Sequence, residues 1–192
     1  MRRLYLAAAV LVSIASIAVP AAAQEKAAGE EAGAPGKTAI ELVEIEPFEY
    51  CVVEYTGSYE QHAEAFMALY GEAGKQGLPM TSAPFGLYWN SPLDTAEEDL
   101  KWEIGMEVPA GSKAEAPIVV KKWEYPLVIQ REFEGVIDGE EIQGVYLEMY
   151  GWITANGYTM AGPMMEQFLS MPSADEKGGM VGKVRIVFPV SK

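Results

Sequence analysis

Residues 57–92 read GSYEQHAEAFMALYGEAGKQGLPMTSAPFGLYWNSP, and a degenerate copy of this stretch returns 80 residues later. The matched positions are mostly Gly, Pro or aromatic residues, which backbone geometry and packing constrain most strongly. The pairs at this offset are Glu60 with Glu140, Tyr70 with Tyr150, Gly71 with Gly151, Gly77 with Gly157, Met80 with Met160, Pro92 with Pro172, and Pro109 with Pro189. The repeat predicts one structural unit that is used twice.

Each copy carries the signals of one helix. In the first copy, Ser58 and Gln61 have the spacing of a capping box, and Gly77 is a natural left-handed stop. The corresponding residues of the second copy are Asp138, Glu141 and Gly157. Apolar side chains at helical spacing form a stripe in each copy: Phe66, Leu69, Tyr70 and Ala73, then Val145, Met149, Trp152 and Ile153. We therefore expect two helices that are built alike.

Strand signals surround each helix. The eight predicted strands are residues 39–45, 48–56, 85–89 and 100–108 in the first half and 118–124, 127–133, 165–169 and 181–188 in the second. These runs are rich in β-branched and aromatic residues and are bounded by turn residues. The pattern predicts an α+β fold of duplicated β-α-β-β units with pseudo-twofold symmetry. In it, two helices lie over antiparallel sheets around a central groove.

Two strands show clear alternation. In residues 100–108 one face holds Leu100, Trp102, Ile104, Met106 and Val108, and the other holds Lys101, Glu103, Gly105 and Glu107. The repeat mate of this strand places Val184, Ile186 and Phe188 on one face and Lys183, Arg185 and Val187 on the other. Each strand therefore has one apolar face and one face that carries charges.

The chain opens with the pattern of a cleavable secretory signal peptide. Arg2 and Arg3 precede an apolar run, and Ala21-Ala22-Ala23 supplies a small-residue cleavage site. Residues 24–38 are rich in Ala, Gly and Glu and are expected to form a disordered linker. The remaining residues, 39–192, make up one predicted domain with repeat halves at about 39–110 and 117–192. We expect a periplasmic or secreted protein without a stable membrane anchor after cleavage.

The chain is strongly acidic, with 14 basic and 28 acidic residues and a formal net charge of −14. Two of the basic residues, Arg2 and Arg3, lie in the predicted leader, so the mature chain is more acidic still. Such a surface repels phosphate backbones, so nucleic acid is an unfavourable partner. Nothing in the sequence identifies a protein partner.

Cysteine and histidine each occur once. Cys51 has no partner for an internal disulfide, and a buried inert thiol is the expected state. His62 alone excludes a two-histidine metal site, and we expect it on the exposed flank of the first helix. No metal ion or cofactor is predicted.

Several segments resemble the gyrase-inhibitor-like (GyrI-like) domain, which is also the effector-binding module of multidrug-sensing transcription activators. The segments are EYCVVEYTGSYEQHAEAFMALYG (49–71), GLPMTSAPFGLYWNSP (77–92), LKWEIGMEVP (100–109) and VRIVFPV (184–190). The resemblance covers residues 40–190 and implies a small hydrophobic or aromatic ligand, often cationic, held between aromatic side chains in the central groove. The stretch before residue 38 is expected to be too short and too acidic for a helix-turn-helix.

In the resembling family, a buried Glu on the last strand meets the ligand's charge. Here residues 182–189 contain Lys183 and Arg185 and no acid, while Glu103 is the repeat mate of Lys183. Two interpretations follow. Glu103 pairs with Lys183 or Arg185 and leaves a neutral groove, or Arg185 faces the groove unpaired and favours an anionic ligand.

The candidate ligand-binding residues combine aromatic side chains near the groove with these three charges. They are Tyr70, Tyr88, Trp102, Glu103, Tyr146, Tyr150, Phe168, Lys183 and Arg185. The leading hypothesis is non-catalytic binding of a small hydrophobic or aromatic molecule outside the cytoplasm. One alternative is a hydrolase of electrophilic small molecules that uses Glu103 or Glu148 as its groove carboxylate. The other is a tetrapyrrole-binding protein with His62, a Met or a Tyr as axial ligand.

Overall fold

The computed structural model describes residues 36–80, 82–92, 94–176 and 178–192. Within them the two predicted helices and eight predicted strands occur in the expected order, together with two short strands that were not predicted. The helices are α1 (His62–Lys75), which follows a 3-10 turn at Tyr59–Gln61, and α2 (Glu140–Ala155). The strands are β1 (Glu41–Glu44), β2 (Phe48–Thr56), β3 (Phe85–Tyr88), β4 (Lys101–Val108), β5 (Val119–Trp123), β6 (Leu127–Val136), β7 (Thr159–Met160), β8 (Met164–Phe168), β9 (Ser173–Ala174) and β10 (Met180–Ser191). The predicted leader lies outside the described residues.

The strands form one antiparallel sheet in the order β1-β6-β10-β8-β3-β4-β2-β5, with β7 and β9 each paired to β10. The α+β prediction is confirmed. The sheets of the two halves are joined into one because β3 of the first half pairs with β8 of the second. At the centre of this pairing Gly86 lies opposite Glu166, which is also its repeat mate. The pseudo-twofold axis therefore passes between these two residues.

The halves exchange their leading strands. β1 of the first half pairs with β6 of the second, and β5 of the second half pairs with β2 of the first. The two connections that leave these strands meet where the Ile45 amide donates to the Pro126 carbonyl at 2.8 Å. Alternation along single strands cannot specify this exchange, because it concerns which strands become neighbours.

The helix ends are built alike, whereas the helix starts are not. Gly77 and Gly157 have φ of 67° and 71°, and the residue after each donates to the carbonyl five positions back, as in a Schellman motif. Ser58 accepts from the Glu60 amide at 3.3 Å and caps the 3-10 turn. The predicted cap Asp138 accepts instead from the Met180 amide of β10 at 2.9 Å. The first capping prediction is thus correct for Ser58 but not for Gln61, whose side chain makes no capping bond, and the second capping prediction is wrong.

Opposed residues of paired strands project to the same side of the sheet, so each face can be followed from strand to strand. Both faces of this sheet are apolar. The helix face carries the larger core, to which α1 contributes Leu69 and α2 contributes Met149. The other side, here called the back face, carries a second cluster formed by Tyr50, Val52, Phe85, Leu87, Trp123, Val128, Met165 and Val187. Burial on both faces explains the apolar alternates of the central strands.

Pairing begins slightly before the predicted domain boundary at residue 39. Lys37 forms a bridge with Phe133, and the Thr38 amide donates to the Glu132 carbonyl at 3.0 Å. The Lys37 ammonium also contacts Glu148 of α2 at 2.5 Å. The end of the predicted linker thus belongs to the folded domain.

Candidate functional site

The site lies on the helix face where β3 meets β8, between α1 and α2. Its central group is Glu166 of β8, whose residue is only 8% exposed. No Lys or Arg of the described residues pairs with this carboxyl group. Arg131, on the same face, is two strands away across Ile186 and is paired with Glu148. Burial raises the pKa of Glu166 to about 7.

Two tyrosine hydroxyls from opposite halves meet the Glu166 carboxyl group. Tyr88 of β3 contacts Oε2 at 3.2 Å, and Tyr146 of α2 donates a short hydrogen bond to Oε1. Burial beside Glu166 raises the pKa of Tyr88, so the phenol keeps its proton. When Glu166 is ionised, both hydroxyls can therefore donate to its carboxylate, which no Lys or Arg of the described residues neutralises.

His62 extends this network toward α1. Its Nδ1 contacts the Tyr59 carbonyl, which only accepts, so Nδ1 carries a hydrogen and Nε2 is the acceptor of a neutral ring. Burial lowers the pKa of His62 and favours that neutral form. Nε2 lies 2.9 Å from the Tyr88 hydroxyl. His62 is thus a half-buried member of the site, and its predicted place on the exposed flank is wrong.

The single hydroxyl hydrogen of Tyr88 serves one acceptor at a time. When Glu166 is ionised, it takes this hydrogen, and His62 Nε2 is left without a donor. When Glu166 is protonated, its own O–H donates to Tyr88, and Tyr88 donates to His62. Only when Glu166 is protonated do Glu166, Tyr88, Tyr146 and His62 all have hydrogen-bond partners. The network therefore favours a neutral Glu166 in the closed groove, in agreement with its raised pKa.

Aromatic rings form the walls around this polar centre. Phe66 of α1 meets Phe168 of β8 edge to face, with ring centroids 5.1 Å apart. The His62 ring stacks on Trp102 at 4.6 Å, and Tyr59 lies edge-on to the same indole. These rings give the carboxyl group an apolar surround, which is the physical cause of its raised pKa.

Six of the nine predicted site residues lie on the helix face. Tyr88 and Tyr146 contact the central carboxyl group, and Trp102 and Phe168 belong to the aromatic walls. Tyr150 packs against Phe188, and burial raises its pKa to about 12. Tyr70 is half-buried against the helix-face core. Their role in ligand binding stays a prediction.

The other three predicted residues lie on the back face, so their predicted place beside the groove is wrong. Glu103 lies opposite Leu87 in β3, and Arg185 lies opposite Gln167 in β8. Both interpretations of these charges are also wrong, because Glu103 pairs with neither Lys183 nor Arg185, and Arg185 does not face the groove unpaired. Glu103 accepts from Lys121 at 2.8 Å, whereas Lys183 and Arg185 both contact Glu132, at 2.8 and 2.7 Å.

Glu148, the second predicted catalytic carboxylate, is committed to a structural contact. Arg131 and Lys37 both bind it, and these hydrogen bonds hold its pKa below the ordinary value. His62 uses both ring nitrogens, so axial ligation of a tetrapyrrole through Nε2 would require breaking its contact with the Tyr88 hydroxyl. Neither group is available for the chemistry considered from sequence.

Sequence reasoning missed Glu166 because the acid was sought on the last strand. One signal was present in the repeat: the predicted strand 165–169 carries a Glu, and its mate FGLYW (85–89) has Gly86 at that position. A lone charge in a strand whose repeat mate is uncharged marks a buried polar position. The described residues hold no group of three or more potential metal ligands, and none of their helices has the length and apolar character of a membrane span.

The duplicated α+β frame and its aromatic groove around one carboxyl group define a small-molecule-binding domain. The chain belongs to the family of GyrI-like small molecule binding domains, whose model matches residues 21–190. None of the curated protein sequences compared with the chain matches it significantly.

Solved structures support the same fold at low sequence identity. The C-terminal domain of EcmrR is 18% identical, with a TM-score of 0.65 over 80% of this chain and 98% of that domain. A hydrolase from Listeria innocua is 14% identical, with a TM-score of 0.61 over 82% of this chain and 94% of that chain. The protein SAV2435, solved with tetraphenylphosphonium bound, is 14% identical, with a TM-score of 0.51 over 80% and 94%.

Proposed function

We propose that the groove on the helix face binds a small hydrophobic organic cation, without catalysis and outside the cytoplasm. The observation that carries this proposal is Glu166, a buried carboxyl group that two tyrosine hydroxyls contact and no cationic side chain of the described residues neutralises. A carboxylate in an apolar site is costly until a positive charge reaches it. The acidic surface of the chain would also attract cations and repel anions.

Two further observations support the proposal. SAV2435, a structural relative, was solved with tetraphenylphosphonium, an aromatic cation. The leader pattern of residues 1–23 supports a location outside the cytoplasm. The groove is filled by its own side chains, since Tyr88, Tyr146 and Met164 are at most 6% exposed. A ligand as large as tetraphenylphosphonium must therefore displace some of these side chains.

Binding of the cation should release the proton of Glu166. The cation needs ionised Glu166, while the closed groove holds a carboxyl group with a pKa of about 7. Below that pKa, ligand and proton compete, so affinity should fall up to about tenfold for each pH unit lost. Above it, affinity should level off. A neutral aromatic ligand would show no such dependence.

The test compares two probes of the same size and shape but opposite charge, tetraphenylphosphonium and tetraphenylborate. Isothermal titration at pH 8 should give binding of the cation alone, and Glu166→Gln should weaken it by about tenfold or more. Lys101→Gln serves as a surface control, because Lys101 is an exposed residue of β4 on the side away from the groove. Binding of tetraphenylborate by the parent chain, or equal cation affinity in Glu166→Gln, would contradict the proposal.

A hydrolase is the second candidate, favoured by one specific observation. A carboxyl group with a pKa near 7 can serve as general base or acid at neutral pH, and the phenol of Tyr88 lies beside it. The chain also shares its fold with a Listeria innocua hydrolase. Incubation with an aryl epoxide should then release the diol in a Glu166-dependent manner. Product formation at the same rate in Glu166→Gln would remove this candidate.

A further inference from the structure

A separate cavity lies on the back face of the sheet, away from Glu166. It has a volume of about 190 Å³. Phe85, Trp123 and Met165 belong to its apolar walls, and Glu107, Gln167 and Arg185 belong to its polar margin. Neighbouring residues Met164 and Met165 therefore report on opposite faces, Met164 on the helix-face core and Met165 on this cavity.

The exchanged leading strands create this cavity. Two rows of opposed residues form its floor: Gln167 pairs with Phe85 and Arg185, and Met165 pairs with Leu87 and Val187. Ile45 reaches it from the β1–β2 connection, Phe48 from the start of β2, and Trp123 from the end of β5. The stacking of Phe48 on Trp123 at 5.9 Å fixes one aromatic wall. The floor and the covering segments thus come from both halves.

The size of the cavity limits its ligand. An apolar cavity of roughly 150 Å³ holds one benzene molecule in a well-studied case. A cavity of about 190 Å³ therefore accommodates a single ring, or a short branched chain, with one small substituent. A fused tricyclic dye or a tetraphenyl ion is too large for it.

The polar margin favours a negative substituent. Arg185 donates to Gln167 at 3.0 Å and to Glu132 at 2.7 Å, but its buried Nε has no hydrogen-bond partner among the described residues. Lys183 shares the same Glu132, so two cations compete for one carboxylate there. Glu107, the acid of the lining, is an exposed residue whose charge is screened by water. Of the five guanidinium hydrogens of Arg185, two serve Gln167 and Glu132, so N–H donors remain for a ligand oxygen.

We infer that the back-face cavity binds a small apolar carboxylate, such as one aromatic ring bearing a single carboxylate group. The ring packs among Phe48, Phe85 and Trp123, and the carboxylate accepts from Arg185. A guanidinium edge suits a planar carboxylate better than a hydroxyl or an amine. This site is independent of the groove around Glu166, and it assigns to Arg185 the carboxylate recognition that the sequence suggested for a different place.

Benzoate is the probe, and methionine methyl NMR is the first measurement, because it needs no variant. With ¹³C-methyl methionine in the folded chain, benzoate should shift the Met165 signal in a saturable manner and leave Met164 unchanged. Tetraphenylphosphonium should do the reverse if it enters the groove. A benzoate effect on Met164 alone, or on neither methyl group at millimolar concentration, overturns the inference.

Matched variants then test the recognition of charge. Arg185→Gln should weaken benzoate by about tenfold or more, while Lys183→Gln, which removes the same charge from the same Glu132 cluster, should change the affinity by less than about threefold. Benzyl alcohol should bind the parent chain much more weakly than benzoate. Glu166→Gln should leave benzoate binding unchanged while weakening cation binding by about tenfold or more, so the two sites can fail separately. The carboxylate assignment is overturned if benzyl alcohol binds as tightly as benzoate, or if Arg185→Gln and Lys183→Gln lose the same benzoate affinity.

Discussion

The two halves of the domain have the same fold and different chemistry at the groove. At three repeat positions, the side chains of one half and the other are Phe66 and Tyr146, Gly86 and Glu166, and Tyr88 and Phe168. The hydroxyl groups of Tyr88 and Tyr146 meet Glu166, whereas Phe66 and Phe168 meet each other. One diagonal across the axis is therefore polar and the other is apolar.

This difference shows what duplication supplies and what it does not. The repeat supplies a symmetric frame, but a symmetric pair at the axis would place two carboxylates face to face at positions 86 and 166. Two such carboxyl groups cannot both ionise, so they would share one proton. Gly86 avoids this conflict and also leaves room for the Tyr88 ring, which lies where a Cβ of residue 86 would be.

Replacement of the axial carboxyl group should have the largest effect. Glu166 has a folded pKa of about 7, above its unfolded value of about 4.5, so the folded state binds the proton more tightly. Stability should therefore fall as pH rises from about 4.5 to 7 and stay low above that. Glu166→Gln should be more stable than the parent chain by about 3 kcal/mol at pH 8 and nearly equal to it at pH 4. Urea unfolding at a series of pH values measures this difference.

The difference between the two proteins, rather than either curve, isolates Glu166. His62 acts in the opposite direction, because burial lowers its pKa and protonation of the unfolded chain then costs stability below about pH 6.5. Glu132 and Glu148, with lowered pKa values, lose stabilising contacts as pH falls through the acid range. A pH-independent difference would mean that Glu166 is solvated, and the asymmetry of the two halves would then have no electrostatic consequence.

Addition of one methyl group at Gly86, opposite Glu166 at the pseudo-twofold axis, should have the next largest effect on stability. A Cβ at Gly86 would lie 2.5 Å from the Tyr88 hydroxyl oxygen and 2.8 Å from its ring. The ring must move, so Gly86→Ala should cost about 2 kcal/mol of unfolding free energy. Gly144→Ala is the control, because nothing lies within 4 Å of its Cβ and the helix should gain up to about 1 kcal/mol. Equal results for the two variants would mean that Tyr88 is not held against Gly86.

Much of the frame could be predicted from sequence. The 80-residue offset places both helices and the eight main strands, because Gly77 and Gly157 need positive φ and the strands alternate clearly. The alternation also placed Glu103, Lys183 and Arg185 on the charged face of their strands, and the register confirms that this face lies away from the helices. Their assignment to the groove followed the resemblance, which locates an acid on the last strand.

The remaining features depend on which strands become neighbours. Glu166 and Tyr88 are 78 residues apart and meet only because β3 pairs with β8. Likewise, the cavity beside Arg185 exists only because β1 and β5 are exchanged between the halves. Local periodicity specifies faces, not partners, so neither site follows from a single strand.

Removal of one hydroxyl at a time should have a smaller effect that distinguishes the two donors. Tyr88→Phe makes the first half resemble the second at this position and deprives both Glu166 and His62 of a partner. It should cost about 1.5 kcal/mol, whereas Tyr146→Phe, which affects Glu166 alone, should cost about 1 kcal/mol. Both should move the midpoint of the Glu166-dependent stability change to higher pH. The double variant with Glu166→Gln should show coupling for both tyrosines, and additive effects would contradict the network.

Two glycine pairs that the repeat keeps should give the smallest effects and the same result in each half. Gly77 and Gly157 have positive φ and nothing within 4 Å of the position that a Cβ would occupy, so Ala at either position strains the backbone without a clash. Each change should cost about 1 kcal/mol. The helical pair Gly71 and Gly151, which is equally unobstructed, should instead gain up to about 1 kcal/mol on change to Ala. Chemical denaturation of the four single variants measures both effects. If the two glycines of a pair give matching changes in unfolding free energy, the halves are equivalent in backbone energetics, and their divergence is confined to the side chains at the axis. A difference above about 0.5 kcal/mol between the two glycines of a pair would show that the frame itself has diverged.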